Sequence, residues 1–122
     1  MAELLEAWLI DRRFSVVSSD RILEEVERAL EKPYFAERLS RTDRLEYIAL
    51  LRREAVPIMP RTDVVGAVRD PDDDHVLATA VDGDARYVVS GDRDLLAVGA
   101  FQGIDLVTAR DLIELLEAGL PR

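Results

Sequence analysis

Short β-branched runs alternate with stretches of helical period along most of this chain, and that alternation restricts the fold more than any other feature. Phe14-Ser15-Val16-Val17-Ser18 reads as a strand, followed by a helix over Asp20–Glu31. Pro33 sits well at the start of a further helical piece, Tyr34–Leu39. A longer helix over Thr42–Ala55 carries Leu45, Ile48, Ala49 and Arg52 at helical spacing. Val56-Pro57-Ile58-Met59 is a weak strand suited to an edge, because Pro57 has no N–H to give to a ladder. After a loop over residues 60–69 come an acidic helix (residues 72–81), a strand Arg86–Ser90, a short helix Asp92–Val98, a strand Ile104–Val107 and a last helix opening at Thr108. Strands separated by helices imply an α/β fold with a parallel sheet flanked by helices on both faces. Residues 2–12 read as one more helix, with Leu4, Leu5, Trp8 and Leu9 on a stripe.

At 122 residues the chain makes one domain, 1–122, able to bury roughly two thirds of its unfolded surface. It has no cysteine, which excludes disulfides, thiolate metal sites and thiol catalysis. No run approaches the ~18 apolar residues of a membrane span, and the acidic, amphipathic N-terminus is unlike a secretion signal. A cytoplasmic protein with no membrane role is expected. The formal charge of -9 argues against a broad basic nucleic-acid-binding face. It leaves a nuclease open, because bound cations reverse the field of an acidic pocket. The basic residues are fifteen arginines and a single lysine, Lys32.

Two acidic runs carry the chemistry. Arg69-Asp70-Pro71-Asp72-Asp73-Asp74 packs four carboxylates into a helix opening, and Ser90-Gly91-Asp92-Arg93-Asp94 turns a strand into a helix through two more. Carboxylates at this density repel one another, and hard divalent cations, which prefer oxygen ligands, relieve that repulsion. Ser90-Gly91-Asp92 and Ser18-Ser19-Asp20 both lie at carboxyl ends of strands, where sites form in open parallel sheets.

Helical phase at 100° per residue sorts the acids. Glu25 borders the stripe of Ile22, Leu23, Val26, Ala29 and Leu30, whereas Glu24 projects to solvent. Asp73 stands three, four and seven residues before Val76, Leu77 and Ala80 and so continues their face; Asp72 and Asp74 flank it and His75 points away. A carboxylate on the buried side needs a partner or a metal. The same residues also have structural readings. Acids in a first turn stabilise the helix dipole, and Asp92 is a good N-cap.

Three segments together resemble the PIN-domain family, in particular the bacterial toxin-like PIN proteins related to the VapC ribonuclease toxins: Ser19–Leu30, Asp70–Ala80 and Tyr87–Leu96. The last two, in this order and about a dozen residues apart, are the more specific. The resemblance implies a Rossmann-like sheet and an acidic pocket binding Mg2+ or Mn2+, in which a metal-activated water cleaves single-stranded RNA. Glu25 would match the family's helix glutamate, Asp73 its third acid, and Asp92, with Asp94 beside it, the acid of the Ser-Gly-Asp turn; Ser90 would orient that turn. A toxin of a toxin–antitoxin system, with an antitoxin protein as partner, follows from the same resemblance. The family's first strand, which ends in Asp-Thr-Asn, has no counterpart in this sequence. An N-terminally shortened domain with weak or undetectable RNA cleavage is therefore expected, whether from a start placed too far downstream or from a genuine truncation. The uncovered stripe of the N-terminal helix points to a homodimer.

Two other functions compete. A catalytically impaired PIN-like domain could persist as a binding or oligomerisation module. Gly91-Asp92-Arg93-Asp94 is also similar to the final acidic motif of haloacid-dehalogenase-like phosphatases, but no Asp-x-Asp nucleophile pair stands at an early strand end, where that family needs it. Asp70-x-Asp72-x-Asp74 imitates the start of an EF-hand loop, and His75 and Val81 then occupy the positions of its glycine and its bidentate glutamate.

Overall fold

In the computed structural model, residues 14–119 are described. The helix expected over residues 2–12 lies outside them. The chain runs β1 (Val17–Ser18), α1 (Asp20–Leu30), α2 (Pro33–Ala36), α3 (Arg41–Glu54), β2 (Val56–Pro57), a 3-10 turn (Pro71–Asp73), α4 (Asp74–Asp82), β3 (Tyr87–Val89), α5 (Arg93–Leu96), β4 (Ala100–Phe101), β5 (Ile104–Val107) and α6 (Ala109–Glu117). No helix among the described residues is long and apolar enough to cross a membrane.

The α/β class is as expected, but the strands form two small sheets rather than one. β1 and β2 pair in parallel, Val17 opposite Val56 and Ser18 opposite Pro57. The N–H groups of Val56 and Ile58 donate to the carbonyls of Val16 and Ser18 at 2.8 and 2.7 Å. Pro57 lies between these two donors, at a position where this ladder takes no N–H. The second sheet has the order β3-β5-β4, with β3 parallel and β4 antiparallel to β5.

β4 is a correction to the all-parallel reading. Ala100 pairs with Asp105 and Phe101 with Ile104 across the two residues Gln102-Gly103, which have φ of 49° and 81°. Two successive positive φ values make the tight hairpin turn whose twist suits paired strands, with glycine where the left-handed backbone is least costly.

Local chemistry accounts for the helix starts. Ser19, Ser40 and Thr108 each accept a backbone N–H at the head of α1, α3 and α6, and Thr108 and Asp111 complete a reciprocal capping box. The main core gathers Val68, Leu77, Ala80, Val88, Leu95, Ile104 and Leu106. A smaller cluster seats Leu112 and Leu116 of α6 against Phe14, Tyr87 and Val107. On α3 only Ile48 is buried, and Leu45 remains 54% exposed, so the apolar spacing expected there does not form one covered face.

α4 joins the halves. Leu77, Ala78, Thr79 and Ala80 are all buried in succession, so the helix is enclosed on several sides. At its end Gly83 abuts β1 and β2: a Cβ there would stand 3.0 Å from Val17 Cγ2 and 3.2 Å from Ile58 Cγ1.

Candidate active site

Asp73, at the end of the 3-10 turn, lies within electrostatic reach of acids from three places: Asp70, which caps that turn, Glu25 of α1, and Asp92 in the loop after β3. Arg21 of α1 donates to the carbonyl of Asp72 at 3.2 Å and so ties α1 to the acidic turn. Asp70 caps that turn, its side chain accepting the N–H of Asp72 at 3.0 Å.

Asp92 is fixed by its own helix. Its Oδ1 accepts the N–H groups of Asp94 and Leu95 at 2.8 and 3.2 Å, while its own N–H donates to Ser90 Oγ at 3.0 Å. Ser90 therefore orients the turn, as expected, and Asp92 does act as an N-cap. Its second oxygen is not used by that cap. Asp94 follows in the first turn of α5.

Partial burial pushes the Asp73 carboxyl above its ordinary range. The charges of Asp92, Asp70 and Glu25 push it the same way, and His75 partly offsets them. A half-buried carboxyl held among three like charges is a place where added positive charge is favourable.

Two side chains are not where helical phase puts them. Asp74, read as a flank of Asp73, is the buried acid, 7% exposed. Its oxygens accept the N–H groups of Gly66 and Val68 at 3.1 and 3.0 Å, and so anchor the loop before the turn. His75, read as pointing away, is packed inward, with Nε2 3.0 and 3.1 Å from the two oxygens of Glu25. The cause of both is the width of the covered face: α4 contains both residues and is buried at Leu77, Ala78, Thr79 and Ala80 in succession, so more than the Val76–Leu77–Ala80 stripe faces inward. The signal for His75 lay downstream: it stands three and four residues before Ala78 and Thr79, both buried.

Family comparison agrees with this arrangement. A model described as PIN domain matches residues 1–94, more than three quarters of the chain. The chain belongs to the PIN domain family. Comparison with curated proteins gives no match, nor does comparison with solved structures. PIN domains are in general nucleases, so a hydrolase-type nuclease fold is established at that level. The match spans Glu25, Asp73, Asp92 and Asp94 and ends at the last of them.

PIN domains typically use divalent metals, and the donors here are of the right kind: hard carboxylate oxygens whose mutual repulsion a cation would relieve. Among the described residues, no three His, Asp or Glu side chains converge closely enough to hold an ion.

Proposed function

We propose that this PIN domain is a toxin-like, metal-dependent endoribonuclease acting on single-stranded RNA. The observation that carries the reading is the environment of Asp73, whose carboxyl is raised by partial burial and by the charges of Asp92, Asp70 and Glu25, two of them from distant parts of the sequence. A structural role alone would not require such an assembly, because each of these charges makes the others more costly.

RNA is a polyanion, and the protein carries a formal charge of -9. The acidic centre would repel a phosphate unless cations intervened. Glu25, Asp73, Asp92 and Asp94 are the donors that Mg2+ or Mn2+ would have to draw together, and the ion when bound would supply charge neutralisation and an acidified water. The chain's own contribution is positioning. The N–H groups of α5 fix Asp92, and Ser90 fixes the turn that carries it. Arg69 and Arg93 are exposed and adjacent in sequence to Asp70 and Asp92, where guanidinium groups can take the flanking phosphates of the strand. The toxin role and an antitoxin partner rest on the resemblance to VapC-type proteins.

The test is cleavage of single-stranded RNA by the full chain with Mn2+, beside Asp92→Asn. Asparagine keeps the N-cap acceptor and removes the charge, so the variant should fold and lose cleavage. RNA left intact by the folded wild-type protein at millimolar Mn2+ would overturn the nuclease reading and favour a binding module.

A further inference from the structure

His75 is the single histidine of the chain, and its polar contacts run one way. The side chain is only 10% exposed. Nε2 faces both oxygens of Glu25, fifty residues earlier, at nearly equal distances. Nδ1 is buried and has no hydrogen-bond partner. Leaving a buried nitrogen unpaired is unfavourable, so for packing alone an apolar side chain would serve this position better. The polar capacity of the ring is spent on Glu25.

A carboxylate accepts only, so the hydrogen between the two groups belongs to Nε2. Near-equal approach to both oxygens fixes where the carboxylate lies, because swinging the Glu25 side chain into another rotamer about its first two torsions would break both contacts. The other neighbour, Arg21 Nε at 3.8 Å, is half exposed and holds it weakly. We infer that His75 is a positioning residue, which holds the Glu25 carboxylate in one place at the acidic centre. The inference rests on the nuclease reading above for what Glu25 is positioned to do. Partners that orient a metal-binding group in this way are worth 10–100-fold in metal affinity or activity.

The experiment compares wild type, His75→Leu and His75→Gln as full chains. Mn2+ affinity is read by calorimetry, RNA cleavage as kcat and KM separately, and folding by thermal melts. Leucine fills the space without a donor; glutamine places an amide N–H near the position of Nε2. His75→Leu should stay folded and lose 10–100-fold in Mn2+ affinity and in kcat with little change in KM, and His75→Gln should recover most of both. A folded His75→Leu that binds Mn2+ and cuts RNA like wild type overturns the inference. If wild type itself neither binds Mn2+ nor cuts RNA, the nuclease reading fails instead. A metal-free measurement still decides the contact: the lone imidazole should show a proton on Nε2 in long-range 1H–15N spectra, with a shift in Glu25→Gln. A ring with no proton on Nε2, or one indifferent to Glu25→Gln, overturns it.

Discussion

Replacing Asp74 by alanine should destabilise the protein more than removing any acid of the candidate site. The carboxylate is 7% exposed and accepts two backbone N–H groups, from Gly66 at 3.1 Å and Val68 at 3.0 Å. Val68 is 4% exposed, so its N–H has no water to turn to. A hydrogen bond to a charged group contributes about 1.5–3 kcal/mol, and a buried donor left unpaired costs ~1–3 kcal/mol. Relief from burying a charge offsets part of this. The net for Asp74→Ala is on the order of 2–4 kcal/mol. With an unfolding entropy of ~2.1 cal/mol/K per residue, 3 kcal/mol lowers Tm by about 12 °C. Asp74→Asn keeps one oxygen but turns an amide N–H toward the other donor, and should lose roughly half as much. Urea denaturation gives the free energies, and hydrogen exchange at the Val68 amide gives the local effect, with faster exchange in both variants. An alanine variant within 0.5 kcal/mol of wild type would refute the reasoning, because it would mean the loop does not depend on those two bonds.

Three further outcomes are expected. Gly83→Ala should cost about 1–3 kcal/mol by overpacking, since the added Cβ would meet Thr79 O and Val17 Cγ2 at 3.0 Å; a melt unchanged from wild type would count against it. Asp82 accepts from the Thr62 hydroxyl and from the N–H groups of Thr62 and Arg61, which hold its carboxyl below the ordinary range. Its contribution is therefore present above the unfolded pKa and is lost as pH falls through the folded one, so the stability gap between wild type and Asp82→Asn should close on acidification. Asp73 has the opposite sign. With its carboxyl raised, the penalty is fully present above the folded pKa, and metal-free Asp73→Asn should melt above wild type at neutral pH. The same substitution, combined with Asp92→Asn, should abolish the Mn2+-induced rise in Tm, which for wild type at a hundred times Kd reflects a stabilisation of about 2.7 kcal/mol; equal metal responses would remove the proposed donors.

Alternation of short strands and helices is a property of side-chain pattern, and so the α/β class and most of the helices could be read directly. Ser19, Ser40 and Thr108 marked their helix starts because capping depends on one residue and its next three. Glu24 faces solvent and Glu25 faces inward, as phase requires, because α1 is uninterrupted. Phase failed where a helix is covered on more than one side. Asp74 and His75 turn inward because α4 is buried at four successive residues, Leu77 to Ala80, and a single apolar stripe does not show that. β4 escaped notice because two residues carry no periodicity, although Gln102-Gly103 is the kind of pair that closes a two-residue hairpin. The split into two sheets is a matter of long-range pairing, which no local pattern encodes.

The acids and the scaffold that steadies them are divided unevenly along the chain. Every residue assigned a role at the acidic centre lies at or before Asp94, where the family match stops. Yet β3, which leads into Asp92, has β5 as its only strand partner among the described residues, and Leu95, Ile104 and Leu106 supply three of the seven buried side chains of the main core. A fragment ending at Asp94 would keep the reactive groups and lose the floor beneath them. The final quarter supplies support rather than acids of the centre: its apolar side chains hold the strand that delivers Asp92.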